Sequence, residues 1–140
     1  MAIGPTELNE GLVRELPDTG PVVMVNLVRF HESARDGDGS GWDAYLRYSR
    51  LFMPLLKACG GTILWSGKAE ALAYGALDGP GWDYVVLVQY PSRAAFLETV
   101  TSAEYERANV HRENGVADHV IISTTETYSK LKPAGSATFS

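Results

Sequence analysis

A chain of 140 residues can bury an ordinary core without disulfides or metal, and its single cysteine, Cys59, excludes an internal disulfide and a multi-cysteine metal site and suits a reducing compartment. With 17 acidic against 12 basic residues, a formal net charge of -5, a nucleic-acid partner is not expected, because phosphate-backbone binding needs a clustered basic surface. Met1 to Glu7 lacks the basic and apolar regions of an export signal, and no stretch is apolar for long enough to span a bilayer. The expectation is a cytoplasmic protein of one domain over 1–140, with a core at about 20–129 and a tail at 130–140 that is mobile or spent on contacts with another subunit.

Thr6 to Leu16 carries Leu8, Leu12, Val13 and Leu16 at helical spacing behind the cap-type residue Thr6, and predicts a short amphipathic helix. After the turn Pro17-Asp18-Thr19-Gly20, the run Pro21-Val22-Val23-Met24-Val25-Asn26-Leu27-Val28-Arg29-Phe30 is too continuously apolar to have one face in water, so it predicts a central strand. Residues 31–41, polar and glycine-rich, form a candidate lid. Trp42, Tyr45, Leu46, Ser49, Phe52, Met53 and Leu56 recur at three- and four-residue intervals, which predicts a helix with an aromatic-rich face, bent near Arg50 to Pro54 and ended by Gly60-Gly61.

Residues 62–72 predict a second strand. Trp82 to Tyr90, again nearly all apolar, predicts a third and central one. Ser92 caps a short helix carrying Phe96, Leu97 and Val100; Thr101 and Glu104 have the spacing of a capping box that opens another helix, ending near Gly115. The last strand is expected over His119 to Tyr128. The order, a helix followed by β-α-β-β-α-β, is that of a ferredoxin-like α+β fold with a four-stranded antiparallel sheet whose first and third strands lie in the middle.

That topology gathers Asn26, Arg29 and His31, Trp42 and Tyr45, Trp65 and Lys68, Trp82 and Asp83, His111 and Arg112, and Asp118 and His119 near one end of the sheet. Aromatic walls with a few convergent polar groups suit a small-molecule pocket. Asn26 either satisfies a neighbouring backbone or meets a ligand. Arg29 either straps to Asp83 or Asp118 or holds a substrate anion through its planar fork. His111 is the general-base candidate, although a histidine in the last helical turn also complements the helix dipole. Arg112 either pairs with Asp118 or binds an anion. Tyr45 and Tyr105 are core aromatics or orienting hydroxyls. Strand alternation puts Asn26 and Arg29 on opposite faces, so only one looks into a given cavity, and Asn26 is the choice.

No HExxH, cysteine cluster, phosphate loop, GxGxxG or nucleophile elbow occurs, so neither a metal nor an organic cofactor is expected. Taken together, the first-strand run, Tyr45 with Pro54-Leu55-Leu56 and Gly60-Gly61, Tyr90-Pro91-Ser92-Arg93-Ala94-Ala95-Phe96, Ser102-Ala103-Glu104-Tyr105 and His111-Arg112 resemble the domain of unknown function 1330 family over roughly residues 20–125. The resemblance implies a dimeric α/β barrel: a homodimer of ferredoxin-like sheets with a cavity between sheet and helices in each subunit. Relatives of that fold include cofactor-free monooxygenases, an isomerase and haem enzymes, so the fold implies no reaction.

The function expected is that of a cofactor-free enzyme, monooxygenase- or isomerase-like, acting on a small anionic or aromatic metabolite. His111 and Asn26 would serve as catalytic residues, with Arg29, Tyr45, Trp65, Arg112 and Tyr105 as substrate-binding residues. The alternative is a non-catalytic metabolite-binding or structural dimer. No membrane partner is expected.

Overall fold

The computed structural model describes residues 6–131. Its elements are α1 (Glu10–Glu15), β1 (Val22–Phe30), α2 (Gly41–Ala58), β2 (Thr62–Lys68), β3 (Tyr84–Tyr90), α3 (Arg93–Val100), α4 (Ala103–Gly115) and β4 (Val116–Thr124). The four strands form one antiparallel sheet in the order β2-β3-β1-β4, the ferredoxin-like arrangement, with the two most apolar strands in the centre.

Burial alternates along β1. Val22, Met24, Asn26 and Val28 point under the helices, and Val23, Val25, Leu27 and Arg29 point to the open face. Met24, Leu56, Val22 and Val28 are the largest fully buried side chains, and each is worth about 1.5–3 kcal/mol of transfer free energy. The open face is apolar as well: Val85 and Leu87 of β3 pair with β1, while Trp65 of β2 (48% exposed), Val120 (37%) and Ile122 (49%) of β4 complete it.

Helix α2 begins with a capping box. The Ser40 hydroxyl accepts from the Asp43 N–H at 3.0 Å, and the Asp43 carboxylate accepts from the Ser40 N–H at 2.9 Å. The helix runs through Pro54 to Ala58 and ends where Gly60, at φ +85, lets the Gly61 N–H reach the Leu56 carbonyl at 2.9 Å. Its first turn crosses the last turn of α4 at glycines. A Cβ on Gly41 would lie 2.1 Å from the His31 carbonyl oxygen and 2.6 Å from that of Gly115, so only glycine lets the backbones approach this closely.

Several expected elements shift. The N-terminal helix shrinks to Glu10–Glu15, leaving Thr6 to Asn9 outside it, and none of its residues is buried. Thr101 does not open α4: its hydroxyl turns back to the Leu97 carbonyl at 2.6 Å, and Ser102 takes the cap by accepting from the Tyr105 N–H at 3.1 Å. Strand β4 starts at Val116 directly from α4 and ends at Thr124 instead of Tyr128. β2 ends at Lys68 and β3 starts at Tyr84.

The 31–41 loop is a fastened turn. The Ala34 N–H bonds Gly39, those of Arg35 and Asp36 bond the backbone and side chain of Asn114, and Arg47 bonds the Asp38 carbonyl. The tail expected from 130 lies, from residue 132 onward, outside the described residues.

Candidate functional site

Asn26 sits mid-strand on the helix-covered face, where an amide needs partners. Its Nδ2 donates to the carbonyls of Met24 at 3.1 Å and Val86 at 3.3 Å, so its Oδ1 is left as an acceptor. The Nε2 of His119 lies 2.8 Å from that oxygen, and the Nη1 of Arg112 lies 3.0 Å from His119 Nδ1. A guanidinium only donates, so Nδ1 accepts and Nε2 carries the proton. The chain therefore has one direction: Arg112 to His119, His119 to Asn26, Asn26 to the backbone of β1 and β3. Burial and the Arg112 charge together push the His119 pKa down to about 3, and the imidazole is neutral.

Arg112 is 8% exposed, yet its three bonded partners are neutral: His119, the Asn109 Oδ1 at 2.6 Å from Nε, and the Thr6 carbonyl at 2.9 Å from Nη2. The Glu113 carboxylate reaches it only through Asn109, whose Nδ2 donates to Glu113 at 2.9 Å. The only ion pair among the described residues is Arg14–Glu10. Of the five guanidinium N–H groups, three are used among the described residues, which leaves one on Nη1 and one on Nη2.

Arg112 opens on a cleft of about 670 Å³ between β4, α3, α4 and the segment Thr6 to Val13. Met24, Phe96, Val100, Ile121, Leu8 and Val13 give it an apolar body; Tyr105, Asn109, Arg112 and His119 give it polar points; and Glu7, Glu113 and Asp118 add carboxylates. An inner chamber of about 50 Å³ adjoins it under α2, sharing Met24, Phe96, Val100, Tyr105, His119 and Ile121 with the cleft and adding Asn26, Tyr45, Tyr48, Phe52 and Tyr90. Its aromatic wall is continuous. Tyr48 stacks on Phe52 at 5.4 Å between centroids, Tyr105 meets both edge-on at 6.0 Å, and the Tyr48 and Tyr105 hydroxyls lie 3.1 Å apart. Burial raises the pKa values of Tyr45, Tyr48 and Tyr90, so these phenols stay protonated.

The structure thus brings together four of the residues chosen from sequence: Asn26, Tyr45, Tyr105 and Arg112 line the cleft or the chamber. It places three elsewhere. Arg29 is on the open face, opposite Asp118 in register and without an ion pair to it; Asp83, the other strap candidate, instead accepts from the Phe30 N–H at 2.8 Å. Trp65 pairs with Leu87 on the open face. His111 lines neither cavity, because one residue along α4 from Arg112 turns it by about 100°. His119, gathered at this end from sequence but given no role, and Tyr48 and Asn109 complete the site. Period-2 counting back from Ile121 would have put His119 under the helices.

No group of three or more His, Cys, Asp and Glu among the described residues could hold a metal ion. No described helix is long and apolar enough to cross a membrane.

The sequence pattern of the family described as "Domain of unknown function (DUF1330)" matches residues 40–125. The crystal structure of a protein of unknown function from Rhodopseudomonas palustris is similar at 32% identity and TM-score 0.78, covering 89% of this chain and 98% of that one. The methylated form of that protein matches at 32% identity over 93% and 99% of the two chains, again with TM-score 0.78. A provisionally assigned antibiotic biosynthesis monooxygenase from Caulobacter crescentus aligns at 16% identity and TM-score 0.47 over 78% and 92% of the two chains, a likeness too distant to bear on function. No curated protein matches.

Proposed function

This chain belongs to the DUF1330 family, and from that premise we propose that it binds a small organic anion with an apolar or aromatic body, in the cleft of each subunit of a homodimer. One observation carries the reading: Arg112 is buried and, among the described residues, has only neutral hydrogen-bond partners and keeps two N–H groups beside the cleft. A buried cation without a counter-charge is costly, and a carboxylate or enolate on its fork offsets that cost. Glu7, Glu113 and Asp118 disfavour an anion elsewhere in the cleft, which confines the favourable place to Arg112.

The homodimer is supported by the open sheet face, where an apolar surface built of Trp65, Leu87, Val120 and Ile122 can meet its own copy across a twofold axis. Matched ligands test the binding: benzoate and its arylalkanoate homologues should raise the melting temperature by several degrees at saturating concentration, and the corresponding amides should not. Equal shifts for acid and amide would remove Arg112 as the anchor.

Catalysis without a cofactor is the second reading. It is favoured by the oriented Arg112–His119–Asn26 chain at the junction of cleft and chamber, which presents fixed dipoles to a bound molecule. Both ring nitrogens of His119 are engaged, so any role it plays is orientation and not proton transfer. A changed ligand mass after aerobic incubation with the protein supports this reading; an unchanged mass leaves binding alone.

A further inference from the structure

The Tyr48 and Tyr105 hydroxyls, 3.1 Å apart, are each other's hydrogen-bond partner and have no other among the described residues. Two phenols hold two protons, and one hydrogen bond between them uses one. The second O–H therefore has no acceptor among the described residues, in surroundings where phenylalanine would fill the same space with nothing left over. Either hydroxyl can be the donor of that bond, and Tyr105 lines both the chamber and the cleft whereas Tyr48 lines the chamber alone, so an acceptor arriving through the cleft would draw its hydrogen bond from Tyr105 while Tyr48 donates to Tyr105.

We propose that the Tyr48–Tyr105 pair is an oxygen-binding subsite, in which Tyr105 donates a hydrogen bond to a carbonyl or enolate-type oxygen of the ligand. This rests on the reading of Arg112 as the anion anchor and narrows its ligand. Tyr105 and Arg112 lie two turns apart on α4, about 10 Å along the axis. The ligand class is therefore a carboxylic acid that carries a second oxygen several bonds away, with an apolar spacer lying along Met24, Phe96, Val100 and Ile121. The chamber, at about 50 Å³, has room for an oxygen-bearing tip and not for the whole body. Burial keeps the Tyr48 phenol protonated, so Tyr48 meets Tyr105 as a neutral hydroxyl.

A matched pair of probes tests this on the intact protein: 4-acetylbenzoate, and 4-isopropylbenzoate, which has the same shape without the ketone. By calorimetry the ketone should bind about tenfold tighter, the worth of one satisfied neutral hydrogen bond. In Tyr105→Phe the preference should fall to about one, with the far-ultraviolet circular dichroism and melting curve of the free protein as the control for folding; in Tyr48→Phe most of it should survive, because Tyr105 keeps its proton. The infrared ketone stretch of bound 4-acetylbenzoate should move to lower frequency in the wild type and return in Tyr105→Phe. Equal affinities in the wild type, a preference that survives Tyr105→Phe, or an unshifted ketone stretch in the wild type would each overturn the subsite while leaving the anion site standing. If neither acid binds, the anion site falls and the subsite with it.

Discussion

Arg112 donates to the Nδ1 of His119 at 3.0 Å, and this contact fixes the tautomer of an imidazole that burial, and then the Arg112 charge, keeps neutral. A second proton on His119 would have to displace the guanidinium, bring two positive charges together and break the direction of the chain that ends on Asn26.

Stability should therefore depend on pH through His119. The unfolded chain takes up a proton near pH 6.5, and the folded one not until about pH 3. Between those values unfolding binds one proton, so stability rises with pH across the window and is progressively lost as pH falls from 6.5 towards 3. Urea unfolding at a series of pH values should show a slope that His119→Gln reduces by up to about 1.4 kcal/mol per pH unit. Parallel curves for the two proteins would contradict the neutral, sealed imidazole.

Removing the amide at the other end should be costly. Asn26→Ala strips donors from the Met24 and Val86 carbonyls and an acceptor from His119, in a place 8% exposed. A loss of about 2–4 kcal/mol is expected in denaturant titrations, and a loss below half a kcal/mol would mean that the chain holds nothing together.

The open sheet face should carry the dimer. Ile122 is 49% exposed in the single chain and pairs with Val25 in the middle of that face. Ile122→Glu should shift the sedimenting species from dimer to monomer while leaving the far-ultraviolet circular dichroism intact, because the side chain points away from the subunit's own core. An unchanged dimer would place the interface elsewhere.

Two glycines should respond in opposite directions. Gly41→Ala drives a Cβ to within 2.1 Å of the His31 carbonyl oxygen at the α2–α4 crossing and should cost about 3 kcal/mol or more. Gly11→Ala, in the exposed helix α1, meets nothing within 4 Å and should stabilise by about 0.5–1 kcal/mol. Thermal melts of the two variants read both signs at once.

The strand Val22 to Phe30 shows how much of this was legible in one dimension. Its continuous apolar character required cover on both faces, and period-2 alternation put Asn26 under the helices and Arg29 on the other side. The helical period of α2 was legible too, and Tyr45, Phe52 and Leu56 of the expected stripe are buried, whereas Trp42 and Met53 are exposed and Tyr48, outside that stripe, is buried.

The loop between α4 and β4 was the weak point. With no turn residues after Gly115, the strand begins at Val116, three residues before the expected start, and His119 moves from a strand end to the middle of the edge strand β4. His111 was the general-base candidate because imidazole changes charge near neutrality, yet a 100° step along α4 from Arg112 turns it away from the cleft. Trp65 and Lys68 were drawn toward the same end by topology, and pairing with Leu87 put Trp65 on the opposite face.

What the sequence by itself determined is therefore the set of elements, their order in the sheet and the face on which each β1 residue lies, because those follow from local periodicity and turn chemistry. Tertiary structure alone decided which polar groups meet. Arg112, His119 and Asn26 come from α4, β4 and β1, and the direction of the proton chain that joins them rests on distances of 2.8 and 3.0 Å across 93 and 7 residues of sequence. No periodicity encodes such a distance; it emerges only when sheet register and helix crossing are both set.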